Sequence, residues 1–269
     1  MQTTLSKLIS LMVFGTLLIP AAALAQTSAA ATMTAGSSGT SIGVSATITA
    51  KMTTAISRAD QEIARRTTAL NALNTRVQAM QKVTDQFKQS LETAIEGQVS
   101  ALATLQTKID ADTDATTLKT DVQSITQSYR IYAVILPQGR IAAAADRLVT
   151  ISGMMTTLGS KLQTRIAALQ TGGTDVTTLS NALSDLSAKI SDASTQAQQS
   201  VTISAVLTPD QGNKTTMASN TATLKEARGD LMVAQNDLIA ARKDIATIMA
   251  GLKVDAGATA STSASASTQ

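Results

Sequence analysis

The segment MASNTATLKEARGDLMVAQNDLIAARKDIATIMAGL, residues 217–252, decides the fold of this chain. Large apolar residues recur in it every seven positions, and mostly small residues occupy a second position of the same repeat. The first set is Met217, Leu224, Leu231, Leu238, Ile245 and Leu252, and the second is Asn220, Ala227, Ala234, Ala241 and Ile248. This spacing predicts one long amphipathic helix that packs along a continuous seam, with Asn220 as a polar position that fixes register.

The same helical periodicity extends back along the chain to residue 45. It predicts helices at about 45–111, 115–136, 138–170, 175–206 and 209–253. The first helix would be roughly 100 Å long at 1.5 Å per residue, with Arg66 and Thr84 as polar interruptions of its apolar stripe. A capping sequence, Thr208-Pro209-Asp210-Gln211, marks the start of the last helix.

These helices define the expected fold class, which is all-α. The lengths and seams predict an elongated antiparallel helical bundle or coiled coil of four to five long helices, disordered at both ends. One detail stays open at Pro137, where either the chain turns or a single helix over 115–170 is kinked. The short link from Leu136 to Arg140 leaves few residues for a reversal, which favours the kink.

The N-terminal residues are typical of a secretory signal peptide. Lys7 supplies a positive charge, an apolar stretch runs from Leu8 to Ile19, and Ala23-Leu24-Ala25 is a small-x-small cleavage site. We therefore expect a signal peptide over 1–25 and cleavage near Ala25. The mature protein would be secreted, periplasmic or on the cell-envelope exterior.

Both ends of the mature chain are rich in Thr, Ser, Ala and Gly and poor in charge. Such segments bury too little apolar surface to offset the entropy of ordering. Residues 26–44 are therefore predicted to be a flexible linker, residues 45–254 the helical bundle, and residues 255–269 a disordered tail.

The chain contains neither Cys nor His. Cys-His and Ser-His-Asp catalytic sites and zinc-histidine sites are thereby excluded, and the sequence has no Gly-rich phosphate loop. The mature charge is about +2, since the signal segment holds one Lys and no acid, and so small a charge does not indicate nucleic acid. We expect no catalytic residue, no cofactor and no nucleic-acid partner.

A run of alternating aspartates is the clearest candidate in the sequence for a metal-binding site. Asp110, Asp112 and Asp114 could converge on Ca²⁺, and Asp121 falls at the twelfth position of an EF-hand-like loop. The sixth position is Ala115, although the sharp turn of such a loop requires Gly there. The twelfth position of such a loop is normally Glu, which binds calcium through both oxygens. The favoured alternative is a solvated turn that caps the following helix.

The stretch before Pro137 is the densest apolar run, and it holds both tyrosines of the chain. It could form an interaction patch, for which the candidate residues are Tyr129, Tyr132, Ile135, Leu136 and Pro137. The alternative, that these residues are the best-packed part of the core, is favoured because large apolar side chains are usually interior.

Two segments of the chain are similar to each other. LQTKI at 105–109 is followed by TDATTL at 113–118, and LQTRI at 162–166 is followed by TDVTTL at 174–179. A duplicated helix–turn–helix and a coincidence between two similar helix caps both explain the similarity, and the sequence does not choose between them.

Three stretches, YRIYAVILPQGRIAAAADR at 129–147, LTPDQGNK at 207–214 and AARKDI at 240–245, resemble a group of secreted helical proteins of uncultivated candidate-phylum bacteria. The resemblance covers roughly residues 130–253. It implies export and an all-helical build, and it implies no activity and no functional residues.

Together these features predict an exported, non-enzymatic structural or protein-interaction coiled-coil protein. It would bind a protein partner or another copy of itself through its helix seams. Two alternatives stay open: a membrane-active, pore-forming-like helical protein, and a periplasmic holdase-type chaperone. Contact with a membrane surface is compatible with the sequence, although no feature of the sequence supports it.

Overall fold

Helices make up nearly all of the described chain. The computed structural model describes residues 40–127 and 131–266, with side chains over 47–126 and 131–253. Within these ranges the chain forms six helices and no strand, and the all-α prediction is confirmed. The helices are α1 Thr40–Gln78, α2 Asp85–Ala111, α3 Ala115–Gln127, α4 Ile135–Thr171, α5 Thr177–Ala205 and α6 Lys214–Ala266.

The chain divides into two units, Met1–Val44 and Ser45–Gln269, and the packing below is that of the second unit. The predicted signal peptide and residues 26–39 of the predicted linker lie outside the described residues, whereas α1 begins within that linker at Thr40. At the other end α6 extends to Ala266, past the predicted start of the tail at residue 255.

The prediction of a single first helix is wrong, because the chain leaves the helical path at 79–84 and reverses. Thr84, which the sequence pattern treats as an interruption of one stripe, is instead the N-cap of α2. Its side-chain oxygen accepts a hydrogen bond from the Phe87 N–H at 3.3 Å. α2 then runs back along α1, so that the Gln106 side-chain amide donates to Asp60 Oδ1 at 3.0 Å.

A side chain of α4 holds the link between α1 and α2. The Asp146 carboxylate accepts hydrogen bonds from the Gln81 N–H at 2.7 Å and the Lys82 N–H at 2.5 Å. The Lys88 ammonium donates to the Met80 carbonyl at 3.0 Å. Backbone groups that would be hydrogen-bonded within a continuous helix are thus hydrogen-bonded to side chains here. One of these side chains, Asp146, comes from far along the chain.

Pro137 lies in the first turn of α4 and not at a kink. α3 and α4 are separate helices, so the alternative of one kinked helix over 115–170 is wrong. Proline fits this position because the first backbone N–H groups of a helix have no partner within the helix. The next residue, Gln138, is buried, and its amide nitrogen donates to the Ser204 carbonyl at the end of α5 at 2.8 Å.

α1, α2, α3 and the start of α4 share one apolar core of long aliphatic side chains, the first core. Leu70, Leu102 and Ile109 are completely buried in it, and α3 contributes Leu118 and Ile125. Each fully buried side chain of this size stabilises the folded state by roughly 1.5–3 kcal/mol. The first core is therefore what holds α1, α2 and α3 together.

α4, α5 and α6 pack along one another, with α5 antiparallel to the other two. Early positions of α4 share clusters with late positions of α5, and late positions of α4 with early ones of α5. We call these clusters the second core. Its members at one end include Ile166, Leu179 and Leu252, in the middle Ala145, Leu148, Ala193, Ala197, Ala234 and Leu238, and at the other end Ile141, Leu207 and Leu224.

Burial along α6 follows the seven-residue repeat. Nine of its eleven positions are buried, and the other two, Met217 and Leu231, are half-buried. All the buried positions except Asn220 belong to the clusters of the second core, which they share with side chains of α4 and α5. The predicted apolar face of this helix is confirmed.

The start of α6 differs from the prediction. Asn213 caps the helix, since its side-chain oxygen accepts hydrogen bonds from two N–H groups of the first turn at 2.9 and 3.0 Å. The predicted cap at Thr208 is wrong, because Gln211 and Gly212 have φ angles of 46° and 87°, which a right-handed helix does not include. Asn220 bonds to this link, donating to the Thr208 carbonyl at 2.8 Å.

Candidate functional site

Asp114, one of the four carboxylates considered for calcium, caps α3. It accepts hydrogen bonds from the Thr117 N–H at 2.7 Å and from the Thr117 hydroxyl at 3.0 Å. These bonds, the backbone one first, lower the pKa of Asp114. Asp110 is exposed near the end of α2. For Asp114 the capping alternative is confirmed.

Asp112 and Asp121 come together beside Lys108. The Lys108 ammonium lies 2.7 Å from Oδ1 of Asp121, whose side chain is buried. Oδ2 of each aspartate is buried and has no hydrogen-bond partner among the described residues. Burial, followed by the negative charge of Asp121, raises the pKa of Asp112. A proton on Asp112 would supply the donor that these two oxygens lack.

The four aspartates do not converge on one point. The structure pairs two of them, and a lysine ammonium already binds one oxygen of that pair. No group of three or more acidic side chains suited to a metal ion occurs among the described residues. Ca²⁺ takes six to eight oxygen ligands, so this turn lacks the ligand set that the loop motif requires.

The predicted interaction patch lies mostly in the interior. Ile135, Leu136 and Pro137 are buried, and the first two belong to the first core. Tyr132 is 40% exposed, and Tyr129 lies outside the described residues. A docking surface needs exposed side chains, so the burial favours the packing alternative for this stretch.

Tyr132 lies beside two arginines of α1. The guanidinium carbons of Arg65 and Arg66 are 5.4 and 4.9 Å from the centre of its ring, within the range of cation–π attraction. Both arginines also bind Glu62, at 2.6 and 2.7 Å. Arg66 is 5% exposed, and the carboxylate and the ring together compensate its burial. Glu62 and Arg66 are four residues apart, the spacing at which oppositely charged side chains meet on a helix, whereas no sequence signal indicated the tyrosine.

A groove of about 700 Å³ lies between α4 and α5, and most of its lining is hydroxyl groups. Neither a charged nor an aromatic side chain is among the described residues that line it. The three hydroxyls on α4 donate to carbonyls of their own helix. Without an anchoring group we assign the groove no ligand. Its hydroxyl residues are Ser152, Thr156, Ser160, Ser180, Ser184, Ser187, Ser191, Ser194 and Thr195.

α6 carries exposed apolar side chains on the face away from its buried repeat positions. Met232, Val233 and Ile239 are 62%, 44% and 42% exposed, and we call these three residues the α6 patch. Met232 and Ile239 are seven residues apart and therefore lie on one line along the helix. Large exposed side chains grouped on one helix face are typical of an interaction surface.

Over the part of the chain that the structure describes, each helix is too short or too polar to cross a membrane. Comparison with known proteins shows no relative. No protein-family model matches the chain, and neither a curated protein nor a solved structure matches it. The resemblance to secreted helical proteins of candidate-phylum bacteria therefore stays a prediction.

Proposed function

We propose that the chain is an exported, non-enzymatic structural or protein-interaction protein in which α4, α5 and α6 form an antiparallel coiled coil. The observation that carries the proposal is the burial of nine of the eleven repeat positions of α6, eight of them in apolar clusters shared with α4 and α5. Coiled coils bury their seam positions in this way. Export is supported by residues 1–25, where a base, an apolar stretch and an Ala-x-Ala site follow in signal-peptide order.

The buried polar groups support a structural role. Gln138 binds a carbonyl at the end of α5, Asn220 binds the link before α6, and Asp121 pairs with Lys108 of α2. Each of these groups joins two segments of the chain. A catalytic site would instead direct such groups towards a shared pocket.

The partner that we propose for the α6 patch is the same patch of a second copy, laid antiparallel. Met232 of each copy would contact Ile239 of the other, since both are equally far from a centre between 235 and 236. The exposed Arg228 and Lys243 are also equally far from this centre, so cations of the two copies would face each other at the ends of the patch and oppose the pairing. So small an apolar patch gives a weak dimer.

Sedimentation velocity on residues 26–269 at rising concentration tests this pairing. We expect the wild-type sedimentation coefficient to increase with concentration, and a double variant, Met232→Lys with Ile239→Lys, to stay monomeric. Met154→Lys is the matched control, because Met154 is similarly exposed, at 47%, on α4. A wild-type protein that stays monomeric throughout would contradict the pairing, as would a control that behaves like the double variant.

Export is tested separately by producing the full chain in a bacterial host. We expect a product outside the cytoplasm whose intact mass begins at Gln26. Replacing Ala23 and Ala25 with Arg should leave the signal segment attached, because the cleavage site requires small residues. Full-length wild-type protein confined to the cytoplasm would disprove export.

A further inference from the structure

α1 and α3 enclose a second, smaller groove, with a volume of about 380 Å³. Its walls are apolar: α1 contributes Ile48, Met52 and Ala55, and α3 contributes Leu118 and Val122. Ile48 is 46% exposed, and Leu118 forms part of the buried floor. The groove therefore presents an accessible apolar channel between two helices.

The charged side chains that line this groove are both cationic. Lys51 extends from α1 and Lys119 from α3, and both are exposed. A neighbouring depression on α1 shares Lys51 and adds Arg58. Among the described residues that line either depression there is no carboxylate, while Asp121 of α3 is buried and pairs with Lys108. The rim of the apolar channel is therefore positive.

We propose that this groove binds a single-chain anionic amphiphile, a fatty-acid carboxylate whose tail lies along Met52, Ala55 and Val122 and whose head group lies between Lys51 and Lys119. The volume is at the lower end of the range for small-molecule sites, about 300–1,000 Å³. The flexible lysine stems can cover the tail while their ammonium groups reach the carboxylate.

The composition of the groove also argues against a second copy of the chain as occupant. Two copies meeting here would bring Lys51 and Lys119 of each against those of the other, and like charges repel. No aromatic ring lines the groove in the described chain, so it lacks the stacking surface that a flat ring ligand would use. An unbranched acyl chain matches the apolar walls better.

Calorimetric titration of the purified protein with sodium dodecanoate, below its micelle concentration, tests the proposal. We expect saturable binding of about one molecule per chain and no binding of dodecyltrimethylammonium, which has the same tail and the opposite charge. Lys51→Gln with Lys119→Gln should weaken dodecanoate binding about tenfold. Lys161→Gln, at an exposed position of α4, should leave the affinity unchanged.

A second variant tests the tail. Ile48→Glu places a carboxylate at the exposed mouth of the groove, where folding is not at risk, and should abolish binding of dodecanoate. Equal binding of the anionic and cationic amphiphiles would overturn the proposal, and so would unchanged affinity in the double lysine variant. Binding to phosphatidylglycerol vesicles without binding of soluble dodecanoate would also overturn it, and would assign the lysines to a membrane surface. The α6 patch takes no part in this test, so the two proposals fail separately.

Discussion

The first and second cores solve the same problem of helix packing in different ways. The first core separates its helices with long aliphatic side chains such as Leu70, Leu102 and Ile109. The middle of the second core has alanines at most of its positions, with Leu148 and Leu238 between them. Small residues let helix backbones approach closely, whereas large ones fill a wider gap. The first core should therefore be sensitive to truncation and the second to enlargement.

The largest expected effect is that of truncation in the first core. Leu102→Ala should lower the free energy of unfolding by about 2–5 kcal/mol, because it removes buried methyl groups and leaves a cavity. Denaturant unfolding followed by circular dichroism measures this loss. A loss under about 1 kcal/mol, smaller than such truncations give, would show that the first core can collapse around the gap.

Adding side-chain volume in the second core should also destabilise the protein, but by less than removing volume from the first core. Ala197→Leu should lower the free energy of unfolding by about 1–3 kcal/mol, since Ala197 of α5 is completely buried in the cluster that α5 shares with α4 and α6. Ala167→Leu, at an exposed position of α4, serves as control and should have little effect in the same denaturation assay. If the two variants unfold alike, close packing in this core is not what limits side-chain size.

A pair of glycines on α4 sharpens the comparison at the boundary of the cores. An added Cβ at Gly139 would overlap the side chain of Leu73, whereas Gly153 has open space around it. Gly153→Ala should stabilise the protein by roughly 0.5–1 kcal/mol through better helix propensity. Gly139→Ala gains the same stabilisation from helix propensity, but its new methyl group must displace the buried side chain of Leu73. We therefore expect a net decrease of about 1 kcal/mol in the free energy of unfolding. Thermal unfolding of the two variants should move in opposite directions.

The smallest effect concerns pH at the α2–α3 turn. The folded state raises the pKa of Asp112 above 3.8, so it binds this proton more tightly than the unfolded state does. Stability from this group is present at low pH and is lost as the pH rises through the folded pKa. Asp112→Asn keeps a donor for Asp121 at every pH.

Melting temperatures of the wild type and Asp112→Asn, measured from pH 3 to pH 8, isolate the contribution of the Asp112 proton to stability. The wild type should lose stability relative to the variant as the pH rises. The caps at Asp114 and Asp175 have lowered pKa values and contribute in the opposite direction, but they are common to both proteins and cancel in the difference. Parallel profiles would exclude a shared proton.

The helices could be predicted because burial repeats along each of them. α5 is Thr177–Ala205 where the pattern indicates 175–206, and the seam of α6 is buried where the repeat places it. The break at 79–84 could not be predicted from periodicity, since it contains neither Gly nor Pro. Its local signal was the Thr84 cap, and the carboxylate that stabilises it belongs to Asp146, 65 residues beyond Gln81.

The candidate sites were less predictable, because each depends on which helices become neighbours. The run of aspartates was visible, but its division into a cap and a buried pair depends on how α3 folds back on α2. The two similar segments do form two helix–turn–helix units, yet their caps differ: Asp114 binds Thr117, while Asp175 binds Thr177, one position earlier in the repeat. The groove beside Lys51 arises from the approach of α1 to α3, which no local pattern encodes.

The position of α4 between the two cores determines how the molecule unfolds. Ala142 faces the first core, Ala145 the second, and Asp146 anchors the α1–α2 link. Melting α4 would expose apolar surface on both sides at once, so neither half should survive as a fragment once a protease has cut within this helix. The last amides to exchange with heavy water should accordingly be those at the start of α4, and they should exchange together with amides from both cores.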